Sequence, residues 1–227
     1  MSRRQILSGL GTTALAAATV KPDEASALVV IDVQNCFLPG GSLAVKDGDQ
    51  VVPVINKLAK AFSNVVLTQD WHTGGHISFA SSHSGKKPFE TVDLDYGKQV
   101  LWPDHCVQGT EGAALSEDLA IPHAGLVIRK GFRKHVDSYS AFTEADGKTT
   151  TGLAGYLKAR NIEKLFLSGL ATDFCVAWSA LDARKAGFET YVIEDACRGI
   201  DTQGSLAAAW ADMTKAGVKR IQSSDIA

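Results

Sequence analysis

The 227-residue sequence lacks an excess of charge of either sign. Its 23 basic and 25 acidic residues give a formal net charge of −2, which argues against a nucleic-acid or anionic-membrane partner. It also lacks closely spaced cysteines. The four cysteines stand at 36, 106, 175 and 197 with no C-x-x-C spacing, which excludes a zinc ribbon and a small disulfide scaffold. Past the N-terminal region no stretch reaches the roughly 18 apolar residues of a spanning helix. No G-x-G-x-x-G or G-x-x-x-x-G-K-[ST] follows a strand-like run, which counts against a nucleotide-binding module. Internal repeats, low-complexity tracts and linkers are missing too. What remains has the composition of a soluble globular protein, long enough for one α/β domain with a sizeable core. Nothing in it points to a monomer over a homo-oligomer.

The first residues differ from the rest. Arg3-Arg4 precedes an apolar, small-residue run from Ile6 to Val20, the pattern of a twin-arginine export signal. The expectation is a leader over residues 1–24, export to the periplasm, and a domain over residues 25–227 with no transmembrane helix. Ala16-Ala17-Ala18 is one candidate cleavage site. Ala25-Ser26-Ala27 is another, but it abuts the first predicted strand.

Strands are predicted over 27–33, 64–68, 126–129, 165–168, 190–193 and 219–222, from short apolar runs. Helices are predicted over 51–62, 152–160, 173–185 and 205–215, the third closed by Gly187. The segment from Asp70 to about Gly112 reads as long and irregular, which in a compact domain usually means function. Alternating strands and helices imply a three-layer α-β-α fold with a mainly parallel central sheet. Right-handed crossovers then bring all strand C-terminal ends to one edge, where ligands bind.

Four reactive residues fall at that edge. Asp32 lies in an apolar strand, Asp70 follows the second strand, Lys130 ends the third, and Cys175 follows the fourth. Cys175 is expected in the first turn of a helix, where free N–H groups and the helix dipole lower a thiol pKa and stabilise an oxyanion. Asp32 is the candidate base, and Lys130 is expected to favour the thiolate. Cys36, Cys106 and Cys197 lack the strand-to-helix setting and read as structural or accessory. Asp70, His72 and His105 form a plausible open site for one divalent metal ion: zinc, iron or manganese. His76 is a possible extra ligand. Cys106 is left out because an extended chain would turn its side chain away from that of His105.

These segments resemble the isochorismatase-like cysteine hydrolases, and within them the nicotinamidase/pyrazinamidase family. The marks are D-V-Q-N-C-F from Asp32, T-Q-D-W-H from Thr68, H-I-S-F-A from His76, W-P-D-H-C-V-Q-G-T from Trp102, R-K-G from Arg129 and G-L-A-T-D-F-C-V from Gly169. The resemblance runs from Ala27 to the C-terminus. It implies hydrolysis of nicotinamide, with pyrazinamide as a further substrate, through a cysteine thioester. It further implies Asp32, Lys130 and Cys175 as a triad, and Asp70, His72 and His105 on the metal. Phe37 and Trp102 would flank the pyridine ring. A cis peptide is implied at Leu170–Ala171, with the Ala171 and Cys175 amides as oxyanion hole. Many relatives carry an acidic residue where Cys36 stands. The nearest alternative is a carbamoyl or ureido amidohydrolase of the same fold, which would generally lack the Asp70/His72/His105 set. An exported metal-binding protein without turnover would leave Cys175, Asp32 and Lys130 unexplained.

Overall fold

The structure is a computed structural model, and it describes residues 19–227. The arginine pair and most of the expected leader lie outside the described residues. Val20 bridges Ile226 near the C-terminus, and Ser26 opens the first strand, so a cut after Ala27 would fall inside it.

Six parallel strands form the central sheet: β1 (Ser26–Ile31), β2 (Asn64–Asp70), β5 (Leu126–Lys130), β6 (Lys164–Leu170), β7 (Glu189–Arg198) and β8 (Lys219–Ile221). Their order is β5-β2-β1-β6-β7-β8. The helices are α1 (Val51–Ala59), α2 (Leu153–Ala159), α3 (Ala177–Lys185) and α4 (Ser205–Lys215). No helix among the described residues is long and apolar enough to cross a membrane.

The side-chain period of two sorts β1 between two cores. Leu28 and Val30 join α1 on one face, with Val51, Ile55 and Leu58. Ala27, Val29 and Ile31 join α2, α3 and α4 on the other, with Leu157, Ala180 and Met213. That is why β1 reads as an unbroken apolar run: both faces are covered. The predicted three-layer fold is the observed one.

Three local expectations need correction. The segment after Asp70 is not wholly irregular, because β3 (Thr91–Leu94) and β4 (Gly97–Val100) pair there as an antiparallel hairpin. Asp32 lies just beyond β1 with φ +47° rather than inside the strand. The helix predicted from Asp173 opens as a π-helical turn, Thr172–Val176, before α3.

The chain winds outward from β1 through β2 to β5, then crosses back to place β6 on the other side of β1. The strand order reverses between β1 and β6, and a crevice opens where connections part in opposite directions. Asp32 follows β1 and Cys175 follows β6, so these two flank that crevice.

Candidate active site and metal centre

Close backbone packing makes this edge of the sheet. Gly169 in β6 has φ +112°, and a Cβ there would lie 2.0 Å from the Ile31 carbonyl oxygen. Only glycine lets β6 pair with β1 this closely just before both strands deliver Asp32 and Cys175. Beyond β1, Gln34 takes over the pairing with β2. Its Nε2 donates to the Asp70 carbonyl at 2.9 Å, and its Oε1 accepts from the Asp70 N–H at 2.8 Å. The same Nε2 donates to the Ala113 carbonyl at 2.8 Å.

Lys130 is the hub. Its Nζ lies 2.8 Å from Asp32 Oδ2, 2.5 Å from Asp70 Oδ1, 3.3 Å from Cys175 Sγ and 3.0 Å from the Ser138 carbonyl oxygen. Lys130 and Asp32 are fully buried, so each needs the other. Burial alone would lower the ammonium pKa. The carboxylates of Asp32 and Asp70 outweigh it and raise Lys130 well above the usual lysine value. Asp32 Oδ1 accepts from Thr68 Oγ1 at 2.5 Å. Asp32 Oδ2 has no hydrogen-bond donor aligned on it, only the ion pair with Lys130. Burial raises the Asp32 pKa despite Lys130, which makes it a better proton acceptor than a surface carboxylate.

The thiol differs from the sequence expectation. Burial pushes Cys175 well above the usual cysteine value; Lys130 pulls it down, but Asp32 and Asp70 push it up again. The helix-terminus argument for a lowered pKa is overridden by desolvation and two neighbouring carboxylates. That direction favours the neutral thiol. Oxygens of Asp32 and Asp70 and the sulfur of Cys175 lie within 4.8 Å of one another.

Asp70, His72 and His105 converge from the other side, with donor atoms also within 4.8 Å of one another. His72 Nε2 is 3.5 Å and His105 Nε2 is 3.7 Å from Asp70 Oδ2. Their other ring nitrogens face backbone carbonyls: His72 Nδ1 donates to Gly131 at 2.8 Å and His105 Nδ1 to Pro103 at 2.9 Å. A carbonyl only accepts, so Nδ1 carries the hydrogen and Nε2 is left as the ligand atom. These residues therefore fit a divalent ion with nitrogen and oxygen ligands. Burial pulls His72 down and the Asp70 carboxylate more than offsets it, so a metal and a proton compete for Nε2. Gly131 is required beside them: at φ +65°, a Cβ would approach His72 Cε1 to 2.7 Å.

His76 does not join this set. Its Nε2 donates to the Arg133 and Val136 carbonyls at 3.0 and 3.2 Å, and its Nδ1 meets Ser78 Oγ at 2.8 Å. Both nitrogens face protein partners, and His76 groups with His72 and Asp137 as a second candidate set rather than with Asp70 and His105. Its ring instead lies against His72, centroids 4.3 Å apart.

Between thiol and metal cluster lies a pocket with about 330 Å³ of space between its atoms, its mouth included. Phe37, Trp102, Ala171 and Cys175 line it together with Asp70, His72 and His105, so every site residue chosen from sequence except the two buried behind the wall, Asp32 and Lys130, faces it. The Leu170–Ala171 peptide is cis.

Sequence reasoning missed Asp137, Tyr139 and Phe174, which also line the pocket. Tyr139 Oη accepts from Trp102 Nε1 and from Gln99 Nε2, both at 3.0 Å, which fixes the Trp102 ring. Asp137 and Tyr139 lie in a loop with no periodic pattern, although D-S-Y-S-A-F from Asp137 is a compact polar-aromatic run that could have drawn notice. Also missed was the Cys36–Cys106 disulfide, with Cα atoms 5.7 Å apart. Cys106 has φ +45° and is not extended, so the argument that turned its side chain away does not hold. Cys175 and Cys197 are free.

Along most of its length the chain is similar to known proteins. Residues 26–225 match the model of the isochorismatase domain. A nicotinamidase of Acinetobacter baylyi is 60% identical over 88% of this chain and 94% of its own. The solved structure of an Acinetobacter baumanii nicotinamidase/pyrazinamidase superposes with a TM-score of 0.89 at 64% identity, covering 90% of this chain and 99% of that one. A pyrazinamidase of Pyrococcus horikoshii, solved in complex with zinc, gives 0.71 at 33% identity over 87% of this chain and 99% of that one. With a domain model spanning nearly the whole described chain and relatives this similar along most of their length, the protein belongs to the isochorismatase family.

Proposed function

We propose that this protein is a nicotinamidase that hydrolyses nicotinamide, and also pyrazinamide, to the acid and ammonia through a thioester on Cys175. The observation that carries it is the joining of two sets in one pocket: the buried Cys175–Lys130–Asp32 cluster and the Asp70/His72/His105 ligands. The similarity to the Acinetobacter enzymes supports the same activity.

In this reading Asp32 takes the Cys175 proton as sulfur bonds to the carboxamide carbon. The Ala171 and Cys175 N–H groups receive the oxyanion. Lys130 keeps Asp32 and the thiol in register. As the C–N bond breaks, Asp32 returns the proton and ammonia departs. Water then attacks the thioester, Asp32 takes its proton, and the acid leaves as Cys175 is re-formed. Phe37 and Trp102 flank the ring and exclude water. Asp70, His72 and His105 would hold one divalent ion, zinc by likeness to the Pyrococcus relative. Bound there, the ion would supply a Lewis acid to orient the substrate.

The N-terminal Arg3-Arg4 pattern supports export as a folded protein. The test of function is ammonia release from nicotinamide and pyrazinamide by purified protein, before and after chelation. Absence of release with metal bound would overturn the proposal.

A further inference from the structure

The Cys36–Cys106 bond lies outside the chemistry above, yet it joins the backbones that carry it. Cys36 precedes Phe37, and Cys106 follows His105. Both cysteines are buried. The Cys106 carbonyl accepts the His72 N–H at 3.0 Å, and the Gln108 N–H returns to the His72 carbonyl at 2.9 Å. The loop after β1 that carries Cys36 also carries Gln34, whose amide holds the Asp70 backbone through both its atoms. All three ligand backbones therefore run to one short loop: Asp70 through Gln34, and His105 and His72 through Cys106 and its bond to Cys36. The Phe37 and His105 rings, each next in sequence to one end of that bond, stand 5.6 Å apart. Cys106 has φ +45°, which a non-glycine residue adopts only where its surroundings impose it.

We propose that the Cys36–Cys106 bond is a positioning clamp for the metal centre: closed, it fixes the turn that aims His105 and His72 at the ion and seats Phe37 against the substrate; open, it loosens both. This rests on the metal-site reading above. The Cα separation of 5.7 Å lies within the range that a disulfide spans. Reduction by a phosphine moves two electrons from phosphorus to the S–S bond. The phosphine leaves as its oxide with an oxygen from water, and the two water hydrogens complete two thiols. Oxidised glutathione reverses this by exchange, closing the bond and releasing two glutathione thiols. The clamp thus makes metal retention follow the redox poise of the compartment.

The test uses the full-length chain purified without reductant. Alkylation after denaturation should modify two thiols, Cys175 and Cys197; four modified thiols would overturn the clamp. Zinc release to a competing chelator is then timed for oxidised wild type, phosphine-reduced wild type with the phosphine removed, Cys36→Ser and Cys106→Ser. The expected result is release about tenfold faster in the last three, as for a lost outer-shell partner. KM should rise with kcat held, and oxidised glutathione should restore only the reduced wild type. Equal release rates, with only thermal stability lowered, would mean a purely structural bond and overturn the proposal. Wild type that retains no zinc with the bond closed would defeat the metal-site reading itself, and the clamp with it.

Discussion

Lys130 Nζ stands 2.8 Å from Asp32 Oδ2, and neither side chain reaches solvent. The pair cannot be dissected without leaving a bare charge in the core. Lys130→Met would strand both Asp32 and Asp70. The expected loss is about 3–5 kcal/mol of stability together with nearly all activity, seen as a lower urea midpoint. An unchanged midpoint would mean that the ion pair does not hold the site.

Cys175→Ala should keep the fold and lose roughly 10³-fold or more in turnover, because no other group supplies a nucleophile. In native protein an alkylator small enough for the pocket should label Cys175 ahead of Cys197. Mass spectrometry decides the order, and retained activity after full Cys175 labelling would refute the role.

His72→Ala should lower bound metal and raise KM together, since the ligand set would lose one of three members. Metal analysis and substrate titration on one preparation check this. Full metal content with normal KM would place the ion elsewhere.

His76 gives a pH prediction. Burial, and after it the neighbouring His72, lower its pKa from the ordinary 6.5 to about 4. A lowered folded pKa means that the unfolded chain takes up a proton first. The stabilisation is therefore complete above about pH 6.5 and is lost as pH falls toward and through about 4. Denaturation series between pH 7 and pH 4.5 should show a shallower fall in stability for His76→Gln than for wild type. Superimposable slopes would contradict this.

Export can be tested by fractionation. Full-length protein should reach the periplasm, and an Arg3→Lys/Arg4→Lys form should not. Equal cytoplasmic retention of both forms would refute the leader.

Much of this was legible in the chain because charges in apolar strands are conspicuous. Asp32 follows a run buried on both faces, Lys130 is a buried charge at the end of β5, whose Val127 and Arg129 are exposed, and Asp70 and Cys175 stand at or after the ends of buried runs. The direction of the Cys175 shift was not legible. A helix start is visible in sequence, but the burial that closes over the thiol and the carboxylate arriving from β2 are products of strand order. Tyr139 escaped because its role is a hydrogen bond to Trp102 from a loop without period. The Cys36–Cys106 bond escaped because its partners are 70 residues apart, and connectivity does not follow from spacing.

Gln34 shows how the sheet tolerates such a break. Past Ile31 the main chain leaves the ladder so that Asp32 can turn inward, and β2 would otherwise face a gap with an orphan donor and acceptor at Asp70. The side-chain amide of Gln34, which has the same C=O and N–H as a peptide, fills that gap with peptide-like bonds. A side chain here serves as a splice of backbone. It frees the real backbone to carry a charged group into the core while the neighbouring strand remains, in hydrogen-bond terms, an interior strand to its last residue.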